Sequence, residues 1–171
     1  LLEVGQVRYD SSVKASVELM AINEINETID LDPMKLTIKS IKIVKYSEVE
    51  EELALNEVEN ILGERRDPFY AIQMIYNMEN TVENNVEFSM PIKYVVLNTG
   101  EQIEVMNNDL AWDKNNGGVF YGKVKKESFF IALIESSKVE DISSIKIVTG
   151  NLWDGNDDLI SSEVEKTYEL Q

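Results

Sequence analysis

The chain has no cysteine and no histidine among its 171 residues. Those two absences remove thiol chemistry, disulfides, Ser-His-Asp triads, histidine general bases and the common zinc sites. A cysteine-free chain folds equally well on either side of a membrane, so the redox compartment stays open. The longest uninterrupted apolar run, 129–134, is far too short to cross a bilayer. Phosphate-binding glycine loops are missing in both common forms, as is the G-x-S-x-G elbow of the α/β-hydrolases. Positive charge is scarce: 16 basic residues face 32 acidic ones, a formal net charge of −16. A body that negative repels phosphate backbones and anionic membrane surfaces, which predicts no nucleic-acid partner and no direct adhesion to a membrane.

What remains is an ordinary globular composition, 43% hydrophobic. The length fits one domain that buries roughly 70% of its unfolded surface and needs no covalent staple. The most legible stretch is FYAIQMIYNMENT, residues 69–81. Tyr70, Ile72, Met74, Tyr76 and Met78 share one parity, while the other parity fades from Phe69 and Ala71 to Asn77 and Glu79. Period two predicts a strand with Tyr70, Ile72 and Met74 turned inward. In KLTIKSIKIVKY, residues 35–46, Leu36 and Ile38 lie on one parity and Ile41 and Ile43 on the other. A bulge near Ser40 puts both pairs on one side. Residues 92–97 and 101–105 flank Asn98 and Gly100 as a hairpin. SFFIALI, residues 128–134, is apolar on both parities and fits a strand covered on both faces. Residues 145–153 and 159–170 flank DGNDD as a second hairpin. Residues 4–9 and 13–22 carry weaker strand signals.

Residues 47–62, SEVEEELALNEVENIL, are different. Good helix formers run to Gly63, a natural stop, and Ser47 with Glu50 spells a capping box. Ala54, Leu55, Val58, Ile61 and Leu62 share one helical face. Eight or nine short strands with one inserted helix at about 47–62 predict an all-β, antiparallel sandwich. We expect one domain over 1–171, with 1–33 an N-terminal elaboration and 34–171 the sandwich core.

Candidate sites are few. DGNDDLISSEVE offers Asp154, Asn156, Asp158 and Glu165 at positions 1, 3, 5 and 12 of a calcium loop. Leu159 replaces the expected glycine and Ser161 the expected apolar residue, so a polar hairpin turn competes with Ca2+ binding. Asn107, Asn108, Asp109 and Asp113 could also gather oxygens. Six glutamates between Glu48 and Glu59 raise a carboxylate-based hydrolase, which needs two of them across a groove; a solvated helix face is the plainer alternative. Lys35, Lys39, Lys42 and Lys45, with Lys123, Lys125 and Lys126, could meet an anionic wall polymer such as teichoic acid, or simply mark solvent-facing strand positions. Trp112 and Trp153 border acidic, asparagine-rich loops. Each could stack on a sugar or a partner, or sit in the core.

The series MKLTIKSIKIVKY, FYAIQMIYNMENT, IKYVVLNTGEQIEV, VFYGKVKKESFFIALI and IKIVTGNLWD resembles the immunoglobulin-like domains of unknown function carried by secreted lipoproteins of Gram-positive bacteria. The matching features are a strand ending in Asn80-Thr81, the hairpin at Asn98 to Gly100, and a Gly122-Lys123-Val124 approach to a hydrophobic strand; together they cover about residues 34 to 153. The resemblance implies an immunoglobulin-like sandwich held at the cell surface by a lipid-bearing cysteine upstream of Leu1, with no catalytic residues to carry over. The sequence therefore points to a non-enzymatic extracellular binding or structural module that meets a protein or a cell-wall polymer, with a calcium-dependent binding domain as the alternative and a hydrolase behind it.

Overall fold

The computed structural model describes residues 1–111 and 117–170. Its strands are β1 (Val7–Asp10), β2 (Ala15–Leu31), β3 (Met34–Ser47), β4 (Phe69–Asn80), β5 (Val86–Phe88), β6 (Tyr94–Leu97), β7 (Gln102–Glu104), β8 (Gly118–Phe120), β9 (Lys125–Ile134), β10 (Ser144–Val148), β11 (Leu152–Asp154), β12 (Leu159–Ser161) and β13 (Glu165–Glu169). Helix α1 spans Glu52–Leu62, α2 is the short turn Val105–Asn108, and a 3-10 turn covers Val139–Asp141. The fold is all-β and sandwich-like, with one helix of more than one turn among the described residues.

One layer is a five-stranded antiparallel sheet in the order β1-β2-β3-β4-β9. The alternation in residues 69–80 places Ile72, Met74, Tyr76 and Met78 in the main core, with Tyr70 packed half-buried against it. The bulge foreseen in β3 is present: the β3–β4 register shifts between Ile38 and Ser40. Leu36, Ile38, Ile41 and Ile43 therefore all face the same core. Beyond Ile43 the other parity is buried too. Val44 and Tyr46 in β3, Phe69 and Ala71 in β4, and Leu133 in β9 form a second core on the opposite face. This explains why SFFIALI is apolar on both parities, since Phe130, Ala132 and Ile134 face one core while Leu133 faces the other.

Helix α1 covers that second core. Ala54, Leu55 and Val58 are buried, Ile61 and Leu62 pack half-buried beside them, and Leu53, off that stripe, is exposed. Burying a valine as completely as Val58 stabilises by about 1.5–3 kcal/mol. Gly63 ends the helix at φ 75°, its N–H donating to the Glu59 carbonyl. The start differs from expectation. Ser47 is the last residue of β3, the helix begins at Glu52, and Glu51 caps it without a side-chain bond, so no capping box forms. Strand propensity and the Tyr46–Phe69 pairing carry β3 past the capping signal.

The first 33 residues are not an appendage. Ala15–Leu31 is the longest strand and pairs with β3 along nearly its whole length, supplying Ile29 and Leu31 to one core and Ala15, Val17 and Leu19 to the other. Two register shifts, between Leu19 and Ala21 and between Glu24 and Glu27, interrupt its alternation.

The second layer is a chain of broken strands. One four-stranded sheet runs β13-β10-β6-β7 and the other β12-β11-β5-β8. The chain passes directly from β5 into β6, from β10 into β11 and from β12 into β13, so the two sheets are halves of one bent layer. Backbone bonds bridge the bend: Lys93 N–H to Val148 O (2.8 Å), Gly150 N–H to Met90 O (2.8 Å) and Thr149 N–H to Val164 O (3.0 Å). At Gly150 a Cβ would lie 2.5 Å from the Met90 carbonyl oxygen, so only glycine allows this approach. The hairpin expected from 145–153 and 159–170 is thus a hairpin that changes sheets half-way.

Candidate functional site

Cross-strand partners in an antiparallel sheet share a face. In the β12-β11-β5-β8 half, Leu152, Val86, Phe88 and Phe120 point into the main core. The intervening positions point out. Leu159 pairs with Trp153, Trp153 with Glu87, and Glu87 with Val119, which draws one row across all four strands. Leu159 is 52% exposed and Val119 37%, and Trp153 and Glu87 are half-buried. Tyr121, two residues past Val119, is 73% exposed. The Ser89 hydroxyl donates to Glu87 Oε1 at 2.6 Å and holds that carboxylate within the row. Trp153 thus lies at the centre of an apolar, solvent-facing strip with a single acid in it. Trp112, its companion in the sequence reading, and Asp113 lie outside the described residues.

Of the proposed calcium ligands, Asp154, Asn156 and Asp158 share one turn and Glu165 lies in a different strand. Asp154 Oδ1 accepts the N–H groups of Asn156 (2.7 Å) and Asp158 (2.9 Å), and these bonds hold its carboxyl below the usual range. That is the polar hairpin turn. Glu165 belongs to β13 in the other half of the layer, where it pairs with Lys146 at 2.9 Å. Among the described residues no group of three or more acidic side chains is arranged to hold a metal ion. Asp109 is buried, and its Oδ1 accepts the N–H groups of Ala111 (2.8 Å) and Ile131 (2.9 Å), which staples the chain to the edge of β9. Asn107 and Asn108 bond to Glu104.

The glutamates of 48–59 are spread around α1. Glu51 pairs with Lys14 and Glu52 with Arg65, while Glu48 accepts from the Ser16 hydroxyl. The lysines are largely engaged: Lys45 with Glu18, Lys123 with Glu83, Lys125 with Glu79, Lys42 with the Leu1 carbonyl, and Lys126 over the Phe120 ring at 4.4 Å.

A feature that the sequence reading missed lies on the other side of the molecule. A cavity of about 330 Å³ opens between α1, the β1–β2 turn and the outer face of the five-stranded sheet. Tyr46 and Phe69 stack within it, ring centroids 4.9 Å apart and nearly parallel at 15°. The apolar second parity of β3 and β4 was visible in the sequence, but its fading along 69–81 concealed the depth of the pocket.

No family model and no curated protein matches the chain. Its fold is similar to that of a functionally unknown protein from Listeria monocytogenes EGD-e, with 10% sequence identity, a TM-score of 0.61, and coverage of 90% of this chain and 86% of the other. That likeness concerns the fold alone. Among the described residues no helix is long and apolar enough to cross a membrane.

Proposed function

We infer that the chain is a non-enzymatic binding module, displayed outside a Gram-positive cell as part of a lipid-anchored protein, and that it meets a protein or wall polymer on the outer face of β12-β11-β5-β8. The observation that carries this reading is the Leu159–Trp153–Glu87–Val119 row. Aromatic and aliphatic side chains that reach solvent in one row of a sheet are groups that anchor contact surfaces, and a tryptophan face also stacks on sugar rings. The net charge of −16 favours a neutral or basic ligand over a polyanion such as teichoic acid. The extracellular address rests on the resemblance noted in the sequence.

Co-sedimentation of the purified chain with isolated Gram-positive cell walls, stripped of teichoic acid, tests the reading. Walls with and without their bound proteins separate a polymer ligand from a protein one. Retention should fall by about tenfold or more in Trp153→Ala, a contact-centre loss of the size alanine scans give for tryptophan, with an unchanged melting temperature. Retention by neither preparation, retention indifferent to Trp153, or steady breakdown of the walls would overturn it.

A further inference from the structure

We propose that the cleft between α1 and the outer face of the five-stranded sheet is a small-molecule site for an aromatic amine: a flat apolar body carrying a positively charged end. The site is separate from the Trp153 face and stands or falls independently of it.

Size and lining set the first half of the assignment. About 330 Å³ falls at the small end of ligand cavities. The stacked Tyr46 and Phe69 rings form an aromatic part of the lining, and Phe129 and Ile131 from β9 line it as well. Phe129 is 39% exposed, an apolar surface that a bound ring would cover. A flat hydrocarbon body gains from this lining without needing hydrogen bonds in the cavity.

Charge sets the second half. Among the described residues the lining contains two carboxylates, Asp10 and Glu57, and no lysine or arginine. Burial opposes ionisation of Asp10, but the Ser12 hydroxyl and N–H, the Val13 N–H and nearby Arg8 outweigh it and keep its carboxyl below the usual range, so it is an anion at neutral pH. Burial, reinforced by the charge of Asp10 and only partly offset by Arg8, pushes the Tyr46 phenol up to about 12, so the phenol stays neutral. Gln73 adds an uncharged acceptor. A cation entering here meets two carboxylates beside aromatic rings, which attract it; an anion meets those carboxylates with only Arg8 nearby to offset them. The charge of the whole chain acts in the same direction.

Backbone NMR titration of the full chain with tryptamine, indole and indole-3-propionate separates the contributions. Tryptamine should shift the amide signals of Tyr46, Phe69, Phe129 and Ile131 at millimolar concentration. It should bind at least about tenfold more tightly than indole-3-propionate, with indole between them, because the carboxylates discriminate by charge. Glu57→Gln with Asp10→Asn should weaken tryptamine by about tenfold and leave indole little changed. Asp10 also holds the β1–β2 turn, so a second variant, Gln73→Lys, places a cation in the cleft without touching that turn and should abolish the preference for tryptamine. Equal affinity for the anion, shifts mapping elsewhere, no shifts at millimolar tryptamine, or an undiminished preference in folded Gln73→Lys would each overturn the assignment.

Discussion

The two halves of the bent layer have the same construction and opposite exteriors. Each has four strands, and each buries one face in the main core. On β13-β10-β6-β7 Lys146 reaches Glu165 at 2.9 Å, and in the segments leading into β6 and β13 Lys93 reaches Glu163 at 2.6 Å, with Lys93 also over the Tyr94 ring. On β12-β11-β5-β8 the corresponding surface is Leu159, Trp153, Glu87 and Val119. The inner faces are alike because both must fill one core. Only the outer faces are free to differ, and that difference is where a binding role can reside. Charge pairs keep a sheet face soluble and discourage association, whereas an apolar row costs solubility unless something covers it.

The sharpest break in the comparison is between the two faces of one strand pair. Leu152 is fully buried in β11. Leu152→Ala should lose about 2–5 kcal/mol by urea unfolding. Leu159→Ala, on the partner strand but facing out, should stay within about 0.5 kcal/mol. The bend that separates the halves comes next. Gly150→Ala forces a Cβ against the Met90 carbonyl and should cost about 1–3 kcal/mol, read in the same unfolding experiment.

A smaller effect is expected at Glu101, which ties the charged half to the segment after β9. Its carboxylate accepts the N–H groups of Glu135 (2.7 Å) and Ser137 (2.7 Å), and both the N–H and the hydroxyl of Ser136. Burial alone would raise its pKa, but these bonds prevail and hold it below the ordinary value. Because the folded pKa is the lower one, the stabilisation is present above the unfolded value of about 4.3 and is lost as pH falls through the folded value. Glu101→Gln should cost on the order of 1–2 kcal/mol at neutral pH and flatten the acid limb of a stability–pH curve. The smallest change belongs to the exposed pair: Lys146→Ala should cost at most about 1 kcal/mol, shrinking further in high salt.

Much of the main sheet could be read from period two. The inward set of β4, the bulge beside Ser40 and the two-sided cover at the end of β9, though not at Phe129, follow from which parities are apolar. The glycine stop at Gly63 and the turn at Asn98 to Gly100, with Gly100 N–H bonded to Leu97 O at 2.9 Å, are local signals and survive in the fold. The long β2 was obscured for a physical reason. Its two register shifts turn the odd-numbered residues from one core to the other, and Asn26, at φ 54°, breaks the extended backbone inside the second shift. The capping signal at Ser47 misled because a local preference worth about 1 kcal/mol lost to continued strand pairing. The outward row around Trp153 needed pairing register, which no single strand reveals. Its four members come from segments up to 72 residues apart, Glu87 to Leu159.

The claim that the two exteriors have different roles is open to direct measurement. Hydrogen exchange of the chain, free and bound to the wall fraction that retains it, reports which half the ligand covers. Added protection is expected in β5, β8, β11 and β12, with β6, β7, β10 and β13 unchanged. Protection confined to the charged half, or spread equally over both, would contradict it.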